Sequence, residues 1–265
     1  MGNIKIGSSN NSEEVKEQYK TSKGLDTRIS FHDKYSTNMQ GYGNWIVSNY
    51  EIIKGMKVLE LGCGTGSIWM GRDDVLDMFG KLVLTDFSEG MLNTAHENIG
   101  DKDNTEYLVA DIQDLPFGDN SFDMVIANSM LYHVPDIEKG IKEVRRVLKD
   151  DGVFYCATLG ENNFVEQLAE WFRLNGEKFN PNHNFTMQNG EQILRTAFSD
   201  IEARFYKDSL HITDIDDLVD YLRSLASLKA LNDVPLERLK EIITEHSVNG
   251  VVDLPKEYGM FIAKG

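Results

Sequence analysis

Short apolar runs alternate with helical stretches through the centre of the chain, and this alternation restricts the fold more than any other feature. The runs are VLEL (58–61), KLVLT (81–85), YLVA (107–110), FDMVIA (122–127) and VFYCATL (153–159). Uninterrupted apolar runs of this length are typical of parallel strands that are buried on both faces. The stretches between them carry apolar residues at helical spacing. The pattern therefore predicts a doubly wound, mostly parallel α/β sheet with right-handed crossovers.

Less regular segments flank these runs. Residues 1–55 are predicted to form an N-terminal helical segment after a loose polar start, and residues 56–265 to form the core. Variable or cap segments are expected at about 161–197 and 208–256. The periodicity predicts helices over 66–79, 88–99, 136–148, 164–172, 188–197, 215–225 and 235–247, and two more strands over 201–207 and 258–263.

Charge and cysteine content limit which binding partners and which cellular compartment are expected. The formal net charge is -16, without a cluster of Lys and Arg, so a nucleic-acid partner is not expected. Cys63 and Cys156 are the two cysteines, and they lack the spacing of a disulfide or zinc framework. No signal peptide, membrane span or metal-binding motif is present in the sequence. We expect a cytoplasmic protein with no membrane or metal partner, and its oligomeric state stays open.

A glycine-rich turn follows the first predicted strand, in Glu60-Leu61-Gly62-Cys63-Gly64-Thr65-Gly66. This is the edge at which open α/β sheets bind ligands, and glycines let a ligand approach the backbone. The dinucleotide fingerprint is broken, because Ser67 stands where a third glycine is needed. Glu60 would oppose a pyrophosphate but would attract an ammonium group. An ordinary tight turn remains the alternative.

Two acids end the next predicted strands. Asp86 lies about twenty residues beyond the glycines, where a carboxylate can accept hydrogen bonds from a ribose diol. Asp111 can accept from the amine of adenine while Ile112 packs on the ring. The alternative for each acid is that it caps a helix, and the alternative for Ile112 is that it packs in the core. Together the three residues favour an adenosine-like ligand without phosphates.

Five sequence blocks in order extend this interpretation: ELGCGTG, LTDFSEGML, VADIQDLPF, FDMVIANSMLYHVPD and EVRRVLKDDGVF. They cover about 57–159 and resemble the class I S-adenosylmethionine-dependent methyltransferases. More narrowly, they resemble the type 11/25 subfamily of quinone- and biotin-pathway-like enzymes that act on small molecules. The resemblance implies a Rossmann-like, seven-stranded sheet with an antiparallel last strand. It also implies N-terminal helices over the cofactor and a helical cap inserted before the last strand, but it does not fix the substrate.

The resemblance implies S-adenosyl-L-methionine as the cofactor, S-adenosyl-L-homocysteine as its product, and a set of cofactor-binding residues. That set is Arg28, Tyr35, Glu60, Gly62, Cys63, Gly64, Asp86, Phe87, Met91, Asp111, Ile112 and Asn128. Arg28, His32 and Tyr35 share one helical face, from which they can reach the cofactor carboxylate or the substrate. A mixed surface face is the alternative for these three.

For catalysis, a sulfonium is already a good leaving group, so placement of the acceptor is the main requirement. His133 follows the fourth predicted strand and is the candidate base, with a structural histidine as the alternative. His32, Tyr132, Trp171 and His183 are candidates for the acceptor pocket, although each is equally suited to packing.

The sequence therefore predicts a methyltransferase that moves a methyl group to an O, N or C atom of a small molecule. Three other functions stay open: a regulatory module that binds the cofactor without turnover, a dehydrogenase on the same fold, and a methyltransferase acting on protein or RNA. The sequence does not identify the acceptor.

Overall fold

Seven strands form a single sheet in this computed structural model, which describes residues 23–175, 179 and 181–265. The predicted helical spacing of Val15 and Tyr19, and the middle of the loop at 175–184, lie outside the described residues. The strands are β1 (Lys57–Leu61), β2 (Lys81–Asp86), β3 (Thr105–Val109), β4 (Phe122–Asn128), β5 (Leu148–Leu159), β6 (Asp200–Ile212) and β7 (Val252–Lys264).

The strand order across the sheet is β3-β2-β1-β4-β5-β7-β6. Parallel pairing joins the first five strands, with Leu59 of β1 in register with Val83 of β2 on one side and Val125 of β4 on the other. β7 runs antiparallel to both β5 and β6. The predicted Rossmann-like sheet with an antiparallel last strand is confirmed. Because the order reverses between β1 and β4, a crevice is expected at the carboxyl ends of these two strands.

Both faces of the central strands are buried, as the uninterrupted apolar runs predict. Leu59 and Val125 point into the hydrophobic cluster on one face, which also holds Val144 of the helix after β4. Val58 and Met124, one residue earlier on each strand, point into the cluster on the other face. The alternation follows from the two-residue period of a strand. Helices therefore cover both sides of the sheet.

The helices are α1 (Lys23–Tyr35), α2 (Tyr42–Ser48), α3 (Asp73–Leu76), α4 (Glu89–Ile99), α5 (Ile137–Val147), α6 (Phe164–Trp171), α7 (Gly190–Leu194), α8 (Ile215–Ser224) and α9 (Leu236–Glu245). Ser88 caps α4, its hydroxyl accepting from the Met91 amide, and Asp136 caps α5 by accepting from the Lys139 amide. Among the described residues, no helix is long and apolar enough to cross a membrane.

The helix predicted over 66–79 is wrong. That stretch forms a single 3₁₀ turn, Ser67–Trp69, followed by the four-residue α3. Gly71 separates the two with a φ of +70°, in the left-handed region that ends a right-handed helix. Trp69 and Leu76 still reach the core, which explains the helix-like spacing of apolar residues in the sequence.

A third hydrophobic cluster joins α1 to the C-terminal part of the chain. Phe31 stacks on Tyr221 of α8 with ring centroids 4.3 Å apart, and the cluster also includes Phe164 and Leu239. The segment after α1 pairs with β6, since Ser36 forms a β-bridge with Leu210. The N-terminal helix is thus fixed to the last two strands and to the helices between them.

Candidate functional site

One cavity of about 600 Å³ lies where the carboxyl ends of β1, β2 and β4 meet. The glycine turn after β1, the residues that follow β2 and the end of β4 form its first wall. Residues of α1 and β7 form a second wall. A cavity of this size accommodates a cofactor-sized ligand, and its position is the switch point at which open α/β sheets bind ligands.

The glycine turn lies directly against the cavity. Gly62 and Gly64 have φ values of +65° and +56°, which side-chain-bearing residues rarely adopt. A Cβ atom built on Gly62 would lie 2.8 Å from Cβ of Met130, which also lines the cavity. Glycine at position 62 is therefore required both by the backbone conformation and by the space available.

Glu60 and Asn128 place two oxygen acceptors in the first wall. Glu60 is 2% exposed, and its Oε2 accepts from the indole Nε1–H of Trp69 at 2.5 Å. Burial raises the pKa of Glu60 to about 7, against the opposing effect of its hydrogen bonds to Trp69 and Asn128. Asn128 donates through Nδ2 to the Tyr50 hydroxyl at 2.8 Å, while its Oδ1 is buried without a partner. Both groups suit a ligand that carries positively charged donors.

The two acids after β2 and β3 line the same wall. Asp86 accepts from the amides of Gly64 and Ser88, at 2.9 and 2.8 Å, so it braces the glycine turn. Burial raises the pKa of Asp86 above its usual range. Asp111 accepts from the amide and the side chain of Gln113. Each carboxylate oxygen can accept a further bond, so these contacts leave capacity for a ligand.

Three apolar side chains of the predicted cofactor set lie beside these acids. Phe87 follows Asp86, Met91 begins α4 and is buried, and Ile112 follows Asp111 and packs on the sheet. Apolar walls next to a few convergent polar groups are the usual composition of a ligand pocket.

The second wall carries Arg28 and His32 of α1 together with Lys256 and Tyr258 of β7. His32 Nε2 lies 3.1 Å from the Tyr221 hydroxyl and 3.5 Å from that of Tyr258, whereas its Nδ1 is buried without a partner. Burial lowers the pKa of His32 to about 3, helped by the positive charge of Lys256. His32 is therefore neutral at physiological pH.

Tyr132 and His133 lie on the 3₁₀ turn Leu131–His133 that follows β4, and both line the cavity. Their rings contact edge to face with centroids 4.6 Å apart. The Asn182 side chain donates to the Tyr132 carbonyl at 2.6 Å, which attaches this turn to the segment before α7. The turn thus presents both rings at the end of the strand that carries Asn128.

Three predicted site residues, Tyr35, Trp171 and His183, lie outside this cavity. The Tyr35 hydroxyl donates to Asp217 of α8 at 2.6 Å, because Tyr35 is the last residue of α1, beyond the cavity. Trp171, at the end of α6, stacks on His246 with centroids 4.3 Å apart. His183 lies 3.1 Å from the Glu166 carboxylate of α6. Packing and local pairing account for all three side chains.

The cavity wall also holds residues that were not predicted from the sequence, among them Tyr42, Lys256 and Tyr258. Tyr42 of α2 donates to the carbonyl of Gly259 in β7 at 3.3 Å. Lys256 and Tyr258 reach the cavity from β7. Lys256 stands in a polar stretch of β7 beside Asp253 and Glu257, so its sequence context carries no signal of a place in the site.

Residues 59–156 match a family model described as a methyltransferase domain. The fold and this site resemble those of the class I S-adenosylmethionine-dependent methyltransferases. Demethylmenaquinone methyltransferases of two Staphylococcus aureus strains are 36% and 35% identical to the chain over 131 residues. Those alignments cover 48% of this chain and 54% of each relative, so the chain spans about half the length of the curated relatives it matches.

Solved structures share the fold at low sequence identity. A putative methyltransferase of Haloferax volcanii, solved with the Trm112 activator, has a TM-score of 0.58 and 20% identity over 93% of this chain and 96% of its own. The YcgJ protein of Bacillus subtilis has a TM-score of 0.56 and 17% identity over 84% of this chain and 97% of its own. The [4+2]-cyclase SpnF has a TM-score of 0.58 and 15% identity over 96% of each chain. These three similarities concern the fold alone.

The residues of the first wall fit S-adenosylmethionine, the cofactor of this class. The unpartnered Oδ1 of Asn128 and the carboxylate of Glu60 match an ammonium group, and the bare backbone of Gly62 leaves room for the methionine portion. Asp86 supplies acceptors for ribose hydroxyls, and Asp111 for an adenine amine. Within the described part of the chain, no three His, Cys, Asp or Glu side chains are grouped to hold a metal ion.

The raised pKa of Glu60 predicts that cofactor affinity depends on pH. An ammonium group favours the ionised carboxylate, and with a pKa of about 7 the free protein must first lose that proton. We expect the affinity for S-adenosylhomocysteine to increase about tenfold between pH 6 and pH 8. Isothermal titration calorimetry at both pH values measures the change.

Glu60→Gln is the matched variant, since it keeps the acceptor for Trp69 but does not ionise. The same variant should stabilise the ligand-free protein at pH 8, because a carboxyl whose pKa is raised by folding loses its stabilising contribution as pH rises through that value. An equal pH dependence in wild type and Glu60→Gln would rule out Glu60 as the titrating group.

Proposed function

We propose that this protein is a methyltransferase that transfers a methyl group from S-adenosylmethionine to a small-molecule acceptor. The observation that carries the proposal is the placement of Glu60, Asn128 and Asp86 around the glycine turn, with acceptor oxygens matched to the donors of this cofactor. The names of the curated relatives, which act on demethylmenaquinone, support a small-molecule acceptor.

Each predicted cofactor residue of the first wall has a task in this proposal. Glu60 and Asn128 bind the amino end, while Gly62, Cys63 and Gly64 support the methionine and ribose portions through their backbone. Asp86 accepts from the ribose hydroxyls. Phe87, Met91 and Ile112 enclose the adenine, and Asp111 accepts from its amine. When bound, the cofactor supplies an electrophilic methyl group on a sulfonium.

The chain's own contribution to the reaction is placement and exclusion of water. The acceptor must lie in line with the sulfur and the methyl carbon, which the walls of this cavity can enforce. Tyr42, Tyr132 and Tyr258 line the part of the wall outside the cofactor residues, and α1 covers it. Their rings shape the space for the acceptor and keep competing water out.

We propose His133 as the base when the acceptor atom carries a proton. It lines the cavity directly after β4, so its imidazole is within the chamber in which the acceptor binds. His133→Ala is expected to lower kcat about 100-fold, at the low end for loss of a general base, while the Kd for S-adenosylhomocysteine changes less than about twofold. Single-turnover kinetics and calorimetry on the same preparations measure both quantities. Full activity in His133→Ala would end this assignment.

The function itself is tested with tritiated-methyl S-adenosylmethionine and a small-metabolite extract, followed by mass identification of any labelled product. Labelled metabolites formed by wild type and absent with Asp86→Ala would support the proposal. Tight binding of S-adenosylhomocysteine with no labelled metabolite would instead favour a regulatory module that binds without turnover. Labelling of added protein or RNA alone would assign a macromolecular acceptor.

A further inference from the structure

Arg28 is a half-buried cation on the cavity wall that lacks a carboxylate partner in the described part of the chain. Among the described residues, its one hydrogen bond is the 3.4 Å contact that it donates to the carbonyl of Ser224 at the end of α8. The other cations of the wall are engaged: Lys256 pairs with Asp208, and Arg72 donates to the side chain of Asn44. A half-buried guanidinium without a counter-ion is a binding group for an oxyanion.

His32 lies one helical turn further along α1 and faces the same cavity. Burial raises the pKa values of Tyr221 and Tyr258, so both hydroxyls keep their protons and can donate to Nε2 of His32. A neutral imidazole that accepts at Nε2 carries its hydrogen on Nδ1. In that tautomer Nδ1, which is buried without a partner, is a donor that no group of the described chain satisfies.

The position of this pair in the fold separates it from the residues matched to the cofactor. Those residues follow β1, β2, β3 and β4, and the amino end is matched to Glu60 and Asn128 of β1 and β4. His32 instead contacts Tyr258 of β7, which lies two strands beyond β4 in the sheet. Neighbouring strands are about 4.8 Å apart, so β7, which His32 contacts, lies about 10 Å from β4 across the sheet.

We propose that Arg28 and His32 together bind an oxyanion of the methyl acceptor, a carboxylate or a phosphate. The guanidinium pairs with one oxygen and the Nδ1–H of His32 donates to another. This proposal rests on the proposed function and names its substrate class: small molecules that carry a permanent negative charge away from the methylated atom. The cofactor's own carboxylate is the other oxyanion that Arg28 could bind, since the family resemblance implies that Arg28 is a cofactor-binding residue.

The first arm of the test uses the labelled products of the metabolite assay. At pH 7 the product formed by wild type should be retained on an anion-exchange resin. A labelled product that is neutral or cationic would overturn the oxyanion proposal while the methyltransferase function stands. Absence of any labelled product would instead count against the function itself.

The second arm separates the acceptor from the cofactor. Arg28→Gln and His32→Phe should raise the KM for the retained acceptor at least about tenfold, the effect of losing one charge-assisted hydrogen bond. Arg28→Lys should restore part of it, and Arg223→Gln, an exposed arginine of α8, should behave as wild type. The Kd for S-adenosylhomocysteine should stay within twofold in all four variants. Weaker binding of S-adenosylhomocysteine but not of methylthioadenosine by Arg28→Gln would assign Arg28 to the cofactor carboxylate and overturn the proposal.

Discussion

Gly62→Ala should cost the protein both stability and cofactor binding. The methyl group would hold position 62 at a φ of +65°, which costs about 1 to 2 kcal/mol for a residue with a Cβ. It would also lie 2.8 Å from Cβ of Met130, and an overpacked contact of this kind typically costs a further 1 to 3 kcal/mol. Since domains are stable by about 5 to 15 kcal/mol, a large part of the total is lost. Urea denaturation measures the loss of stability.

Gly71→Ala is the matched control for this prediction. Gly71 has a φ of +70°, nearly that of Gly62, but a Cβ atom built on it has nothing within 4 Å. The control therefore incurs the backbone cost of about 1 to 2 kcal/mol without the contact. Its Kd for S-adenosylhomocysteine should equal that of wild type, whereas Gly62→Ala should bind at least about tenfold more weakly because Met130 or the turn must move into the cavity. Equal destabilisation by the two variants would show that the Met130 side chain moves away from the added methyl group at no measurable cost in stability.

Asp86→Ala is expected to weaken binding of S-adenosylhomocysteine by at least about tenfold. The variant loses the two hydrogen bonds that we propose Asp86 accepts from the ribose hydroxyls, each contributing about 1 kcal/mol. The brace on the glycine turn is lost as well, because Asp86 Oδ2 accepts from the Gly64 amide at 2.9 Å. Calorimetry on the folded variant measures the affinity, and an unchanged Kd would remove Asp86 from the cofactor site.

Two further variants separate the ligand contacts from the brace. Asp86→Asn keeps one acceptor oxygen for the Gly64 amide, so its melting temperature should stay closer to that of wild type than the melting temperature of Asp86→Ala. Its affinity should still fall, since an amide offers fewer acceptor sites to a diol. Asp150→Ala, at an exposed position near the start of β5, should leave the Kd unchanged.

The fold was predictable wherever burial and local periodicity agree. β1, β2 and β4 are buried on both faces, so their apolar runs mark them plainly in the sequence. The single helix predicted over 66–79 was wrong because a 3₁₀ turn and a four-residue helix place Trp69 and Leu76 in the core at nearly helical spacing. Gly66 and Gly71 both have positive φ and interrupt the helix at these two positions. The pattern of apolar residues does not reveal their conformation.

Some residues of the candidate site were likewise predictable from the sequence, and others were not. Asp86, Asp111 and the glycine turn follow strands directly, so their place at one sheet edge follows from the order of elements. Lys256 and Tyr258 enter the cavity from a strand about two hundred residues away, and only tertiary packing brings them there. Tyr35 shares the helical face of His32, but α1 ends at Tyr35, next to Asp217 and outside the cavity.

The buried ion pair between Lys256 and Asp208 has a consequence for the order of events during synthesis. Lys256 Nζ also donates to the Ser36 hydroxyl at 3.0 Å, so three side chains from 36, 208 and 256 meet in one place. A chain still emerging from the ribosome has made residue 36 long before residue 256. The second wall of the cavity, to which Lys256 and Tyr258 belong, can therefore form only once β7 has been made and has paired with β6.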